Sequence, residues 1–138
     1  MPWEAIFLKM LHRSATGFET APDFAVGIVL TVPPFPYTQG YEEISKGIPV
    51  ILDEGLSTGD RAAIAFAEVE LRQSAPITSG TSGYVGVATG CATTMETAHL
   101  RALELARKVY VPNLRYPNDI GVRVSDEHIG LLQQWGCL

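Results

Sequence analysis

The sequence contains few of the side chains that bind metals. It has only two cysteines and three histidines among 138 residues. Cys91 and Cys137 are far apart, and no histidine stands in a CxxC or HxxxH context, so the spacing of a zinc site is not met. We therefore expect two reduced thiols and no metal-binding residue on this chain.

Positive charge and long apolar runs are also scarce. Ten Lys and Arg stand against fifteen Asp and Glu, for a net charge of -5. Nucleic-acid binding needs an excess of cations, so that class is not expected. No stretch approaches the roughly 20 apolar residues of a membrane span, and the first residues lack a basic leader and a cleavage site. We expect a cytoplasmic protein with no nucleic-acid or membrane partner.

Complete catalytic motifs are missing as well. There is no GxSxG elbow, no Walker sequence and no GxGxxG turn behind a strand, so we expect no catalytic residue on this chain. The nearest approach to a phosphate cradle is a serine- and glycine-rich run, whose backbone amides could bind an anion. The same composition is typical of a plain hairpin turn, which stays open as the alternative. The run consists of Ser79, Gly80, Thr81, Ser82 and Gly83.

A second polar segment lies nearer the end of the chain. Arg115 and Arg123 stand on either side of Asp119, which we expect to be buried. Arginine binds phosphate or carboxylate through its planar fork. The equally weighted alternative is an internal Asp–Arg pair that fixes a turn. Asp119 and Arg123 are therefore candidate substrate-binding residues beside the serine- and glycine-rich run.

What is present predicts one ordinary globular domain. The apolar fraction of 46% and the charged fraction of 18% fit a single hydrophobic core. Residues 24–32 form a β-branched run typical of a central strand. Residues 93–109 are the surest helix, with Thr93 or Thr94 as its cap. Residues 76–78 and 84–89 are predicted to pair as a hairpin around the turn at 79–83.

The remaining predicted elements are shorter. They are helices over 3–13 and 126–135, strands over 48–52 and 62–72, loops over 33–47 and 54–60, and a turn at 119–121 that leads into an edge strand ending at 124. Trp3 and Trp135 are expected in the core. In the strand over 62–72, the side chains expected to point inward are those of Ile64, Phe66, Val69 and Leu71. Because strands cluster and helices come late, we predict an α+β fold. It would have a largely antiparallel sheet or partial barrel, one long helix and short terminal helices.

Several blocks, taken in order, resemble the C-terminal domain of the phosphoribosylamine–glycine ligase family. The strand at 26–30 leads into a proline turn and a Tyr-to-Lys-Gly step at 41–47, much as in that family. Residues 78–87 resemble its Thr-x-Gly-Gly-Arg-Val-Leu strand, and residues 116–121 its Tyr-Arg-x-Asp-Ile-Gly. An Ala-rich helix lies between them in both. We accordingly predict a domain over 24–138 that is preceded by a helical tail or linker over 1–23.

The resemblance implies that the catalytic groups and part of the substrate pocket belong to different domains. That family joins glycine to 5-phosphoribosylamine with ATP and magnesium held on an ATP-grasp core, while the C-terminal domain helps to wall the phosphoribosylamine pocket. This chain would then be such a domain of a purine-biosynthetic carboxylate–amine ligase, or a diverged stand-alone relative. It would hold no cofactor, would pair with an ATP-grasp core in cis or in trans, and would be inactive alone. A small phosphorylated substrate would meet the run at 79–83 as a cradle, with Asp119 and Arg123 as the polar wall.

The chain also departs from the family's pattern. The family's Gly-Gly turn is replaced by Pro33-Pro34, and two of its arginines are replaced by Tyr84 and Pro117. The loss of two cations favours an alternative function, namely a non-enzymatic small-molecule-binding or protein-interaction module that reuses the fold. An exposed apolar face on the first helix would instead indicate a missing catalytic partner.

Overall fold

The structure is a computed structural model that describes residues 3–12, 21 and 23–136. Every strand pairing in this part of the chain is antiparallel, and the predicted α+β fold is confirmed. The strands form three separate sheets rather than a closed barrel. In chain order the elements are α1 (Trp3–Leu11), β1 (Phe24–Thr31), α2 (Tyr41–Ile44), β2 (Ile51–Leu52), α3 (Thr58–Ala62), β3 (Ile64–Phe66), β4 (Val69–Arg72), β5 (Ala75–Thr78), β6 (Tyr84–Ala92), α4 (Met95–Arg107), β7 (Val109–Tyr110), a π-helical turn (Val124–His128) and α5 (Ile129–Gln134).

The largest sheet has the strand order β1-β6-β3. Val26, Ile28 and Leu30 alternate along β1 and are buried, as expected for a strand with one face on the core. The neighbouring β6 runs antiparallel to β1 over almost its whole length, from the pair Phe24↔Ala92 to the pair Thr31↔Tyr84. The strand predicted from the apolar run is therefore confirmed.

The long helix α4 packs against this sheet, as its sequence pattern predicted. Thr94 caps the helix by accepting a hydrogen bond from the Thr97 amide at 3.2 Å, and Ala98 and Ala102 are fully buried on the sheet side. Gly90 of β6 permits the close approach, because a Cβ there would collide with the backbone of Ala98 and Ala102. The helix axis is thus fixed close to the strand by one missing side chain.

The predicted hairpin around residues 79–83 is wrong. Strand β5 pairs with β4, whereas β6 pairs with β1 and β3. The tight turn lies instead at Gln73 and Ser74, which have positive φ values of 50° and 68°, the backbone of a two-residue hairpin. Neither residue is glycine or asparagine, so this turn gave no clear sequence signal. The run at 62–72, predicted as one strand, is divided between β3 and β4.

Three shorter segments also differ from expectation. The loop at 33–47 contains α2, and the turn at 54–60 runs into α3. The side chains of Ser57 and Asp60 each accept a hydrogen bond from the other residue's amide at the start of α3. This is a capping box in which Asp takes the place of the usual Glu or Gln. The edge strand predicted to end at 124 is absent, because the chain is helical from residue 122. Of the strand predicted over 48–52, only Ile51–Leu52 is a strand, paired with β7.

Several large apolar side chains lie outside the core. Trp3 is 73% exposed and Trp135 is 68% exposed, so the prediction that both are core residues is wrong. Of the residues expected to point inward, Ile64 is buried and Val69 is half-buried, whereas Phe66 and Leu71 are exposed. The helices predicted at 3–13 and 126–135 are broadly confirmed, apart from residue 13, which lies outside the described residues, but α1 buries none of its residues. Within the described residues, no helix has the length and apolarity that crossing a bilayer requires.

Candidate functional site

The serine- and glycine-rich run folds into a tight loop between β5 and the start of β6. Gly80 and Gly83 have φ values of +77° and +84°, a region that favours glycine. A Cβ on Gly83 would also collide with the carbonyl of Val32. The loop therefore needs glycine at both positions to take this shape.

The backbone amides of this loop converge on the side chain of Glu68. The amides of Ser82, Gly83 and Tyr84 donate to Oε2 at 3.0, 2.8 and 3.2 Å. The Ser82 hydroxyl donates to Oε1 at 3.0 Å. Successive N–H groups that surround one anionic oxygen form a nest. The sequence thus located an amide cradle, and the structure fills it with a carboxylate of the same chain.

The electrostatics of Glu68 follow from these bonds. Partial burial, the largest single influence, raises the pKa of the Glu68 carboxyl, but the hydrogen bonds donated by Ser82, Thr81 and Gly83 together outweigh it. The pKa of Glu68 is therefore held below its usual value, and the carboxylate form is favoured. Glu68 is an ionised ligand of the loop at neutral pH.

The loop is also anchored by groups other than this carboxylate. The Tyr41 hydroxyl donates to the Ser79 carbonyl at 2.5 Å, and the Ser79 amide donates to the Glu68 carbonyl at 2.8 Å. At the other side, the Val32 amide donates to the Gly83 carbonyl at 2.9 Å. Burial raises the pKa of Tyr41, so its hydroxyl stays protonated as the donor.

Asp119 and Arg123 have no side-chain bond to this loop among the described residues. Gly121, between them, sits over Val26 near the start of β1, since a Cβ on it would lie 3.8 Å from the Val26 side chain. The loop contacts Val32, six residues further along, which is roughly 20 Å of extended chain. Gly121 therefore lies nearer the start of β1 than the loop does, and neither Asp119 nor Arg123 has a side-chain hydrogen bond or ion pair to the loop among the described residues.

The side chains of Asp119 and Arg123 are both exposed, contrary to the burial expected for Asp119. Arg123 forms a 3.4 Å ion pair with Glu127. No Asp–Arg pair fixes the turn among the residues that the structure describes. Neither residue has the desolvated setting in which an arginine fork binds an anion tightly.

Two surface clefts lie elsewhere. One, of about 280 Å³, is lined by residues of both charges from α3, α4 and the end of β6. The other, of about 530 Å³, is a more open groove along β7 and the segment that follows it. Neither contains a predicted site residue. No group of three or more His, Cys, Asp or Glu suited to a metal ion occurs in the described ranges. The charged lining of the first cleft consists of Asp60, Arg101, Glu104 and Lys108.

Sequence reasoning missed Glu68 and Tyr41. Glu68 lies 14 residues before Ser82 and Tyr41 lies 38 residues before Ser79, so no local motif links either to the loop. The one available signal was indirect, since an amide nest needs an anion and Glu68 is an acidic residue in the strand-rich region nearby. That signal does not single out Glu68 from the other carboxylates.

Comparisons with known proteins show a similarity to a solved ligase structure. No protein-family profile matches the chain, and no curated protein matches it. The structure is similar to that of phosphoribosylamine–glycine ligase from Thermotoga maritima, with a TM-score of 0.64 and 28% sequence identity. The match covers 81% of this chain and 25% of the ligase chain. The resemblance seen in the sequence is confirmed, and this partial match fits a diverged C-terminal domain of such a ligase.

Proposed function

We propose that this chain acts as the C-terminal-type domain of an ATP-dependent phosphoribosylamine–glycine ligase, or as a diverged partner of such an enzyme. The observation that carries the proposal is the structural match, which takes in most of this chain but only a quarter of the ligase. ATP and magnesium would be held on an ATP-grasp core, and the chain would be inactive alone. The chain would close against that core and form one wall of the phosphoribosylamine pocket. We expect the assembly to be cytoplasmic.

The first helix supports docking to a further protein surface. Trp3, Phe7 and Leu11 are between 62% and 76% exposed and share one face of α1, since they are spaced four residues apart. The rings of Trp3 and Phe7 stack with centroids 5.9 Å apart. An exposed apolar stripe of this kind is typical of an interaction surface. Under this proposal the stripe packs against the ATP-grasp core.

A reconstitution experiment tests the proposal. The chain is mixed with the part of the Thermotoga maritima ligase that lies outside the matched quarter, and co-elution and glycine-dependent ATP hydrolysis are measured. We expect a complex, a blue shift of Trp3 fluorescence in a Trp135→Phe background, and activity only in the mixture. Phe7→Glu should abolish the complex, whereas Leu71→Glu, at a comparably exposed apolar position on the β4–β5 hairpin, should not. Absence of a complex at tens of micromolar would contradict the proposal.

The pocket itself can be tested with a ligand. Ribose 5-phosphate carries the phosphate and sugar expected of the substrate, and calorimetry measures its binding to the chain and to the mixture. We expect heat from the mixture that exceeds the heat from the chain alone, because the wall would be completed by the core. No heat from either at millimolar ligand would argue against a phosphoribosyl site.

One observation favours the second candidate function, a non-enzymatic binding or interaction module. The amide nest, which would face the substrate phosphate, already holds Glu68. A module of this kind would bind a partner or ligand without any ligase core. Failure of reconstitution together with retained binding of another ligand would support it.

A further inference from the structure

The donors around Glu68 match the shape and charge of a carboxylate. Three amides meet one oxygen and a hydroxyl meets the other, so both oxygens of a planar group are bound at once. No described Lys or Arg forms an ion pair with Glu68. A singly charged carboxylate suits a neutral cradle of this kind better than a phosphate dianion, which is commonly met by cations.

The cradle does not depend on the Glu68 side chain for its overall shape. The Glu68 amide donates to the Tyr84 carbonyl at 2.9 Å, and the Ser79 amide donates back to the Glu68 carbonyl. Together with the Tyr41 hydroxyl bond to Ser79, these contacts hold the loop through its backbone. The donors are therefore preorganised, which reduces the cost of binding a ligand there.

Glu68 is placed so that its side chain can leave. It lies between β3 and β4 rather than within either strand, and it is only partly buried. Rotation of its side chain breaks no backbone bond of the sheet. The strong bonds of the carboxylate to the nest are the main interactions that such a rotation would have to replace.

We infer that the loop from Ser79 to Tyr84 is a carboxylate-binding site with Glu68 as its resident ligand, and that the carboxylate of a small acid enters when Glu68 swings out. The inference stands whether or not the chain partners a ligase core. The inference adds a ligand class, small carboxylic acids, to the proposed function. It also makes the Glu68 side chain an intramolecular competitor of that ligand. Glu68 thus controls access to the site.

The experiment is a chemical rescue. Glu68→Ala removes the side chain beyond Cβ, and acetate can then supply the lost carboxyl group and its neighbouring carbon. We expect Glu68→Ala to be less stable than the wild type and acetate to restore stability saturably. At ten times its Kd, acetate shifts the folding equilibrium about elevenfold. The amides of Ser82, Gly83 and Tyr84 should shift in proton–nitrogen NMR spectra along the same titration.

The controls separate this site from general salt effects. Chloride and inorganic phosphate at matched ionic strength should act more weakly than acetate. Glu70→Ala removes an exposed carboxylate that is paired with Arg72 at 2.8 Å, and acetate should not restore it. In the wild type, acetate should cause the same amide shifts with an affinity at least about tenfold weaker, because Glu68 competes.

Each outcome decides the inference. If Glu68→Ala does not fold in chloride, recovery of dispersed NMR signals in acetate supports the site, and failure to recover them overturns it. Equal effects of acetate on Glu68→Ala and Glu70→Ala overturn it, as does a lack of saturable shifts in the three amides. A lack of any shift in the wild type at molar acetate overturns the exchange step. Because no ligase component is present, none of these results depends on the reconstitution experiment.

Discussion

Replacing Gly80 with alanine tests whether Glu68 is seated in the nest as described. A Cβ at this position would lie 2.5 Å from both Cγ and Cδ of Glu68, well inside van der Waals contact. The backbone is in the left-handed region, with φ at +77°. The substitution should therefore strain the backbone and also push the Glu68 carboxylate out of the loop.

Gly47 supplies a matched control. Its φ is +80°, and a Cβ there would meet nothing within 4 Å. Gly47→Ala should therefore cost only the left-handed strain, about 1–2 kcal/mol. Gly80→Ala adds the loss of the bonds to a charged acceptor, partly replaced by water, which we put at a further 2–3 kcal/mol or so, near the range for one such bond.

The assay is urea unfolding of both variants and of Gly80→Ala in a Glu68→Gly background, because the Glu68 Cβ would itself lie 2.8 Å from a Cβ at position 80. If Glu68 is the obstacle, the cost of Gly80→Ala falls to that of Gly47→Ala once the side chain is gone, a coupling of about 2–3 kcal/mol. Equal costs for Gly80→Ala and Gly47→Ala would refute the reasoning. So would a Gly80→Ala cost that does not change when Glu68 is removed.

Three further predictions concern pH, helix capping and packing. The pKa of Glu68 is lower in the folded chain than its ordinary 4.5, so its stabilising contribution is full above that value and is lost as pH falls through the folded pKa. Acid unfolding of Glu68→Gln should accordingly show a shallower loss of stability below pH 4.5 than the wild type, and parallel curves would contradict this. Thr94→Ala should lower the free energy of unfolding by about 1 kcal/mol through loss of the cap, while Thr93→Ala changes it little; equal losses would count against the cap. Gly90→Ala should cost about 3 kcal/mol by overpacking, against little or none for Gly59→Ala in α3, and a tolerated Gly90→Ala would show that α4 does not pack this closely.

Much of the fold was predictable where local pattern and burial agree. The apolar run of β1 predicted a buried strand, because its β-branched residues suit a sheet and prolines follow at once. The helix α4 combined a threonine cap with an apolar stripe, and both appear in the structure. These elements carry their own signals within a few residues.

The misplaced hairpin shows where such signals fail. A glycine-rich run between two strands indicates a turn, but it does not say which strands the turn joins. Here the serine- and glycine-rich loop connects two different sheets, while the hairpin closes at Gln73 and Ser74 without glycine. The choice was made by the long-range pairing of β6 with β1, which extends from Phe24↔Ala92 to Thr31↔Tyr84, whereas β5 is only four residues long.

The candidate site was likewise predictable only in part from the sequence. The sequence alone predicted the cradle of amides, because glycine and serine at 79–83 allow the backbone to curl around an anion. Its occupant came only from the tertiary structure, since Glu68 reaches the loop through the layout of β3, β4 and β5. The packing of Gly121, between Asp119 and Arg123, near Val26 likewise depends on the tertiary structure. Short stretches of chain determine the local chemistry. The pairing and length of the strands determine which of these groups come into contact.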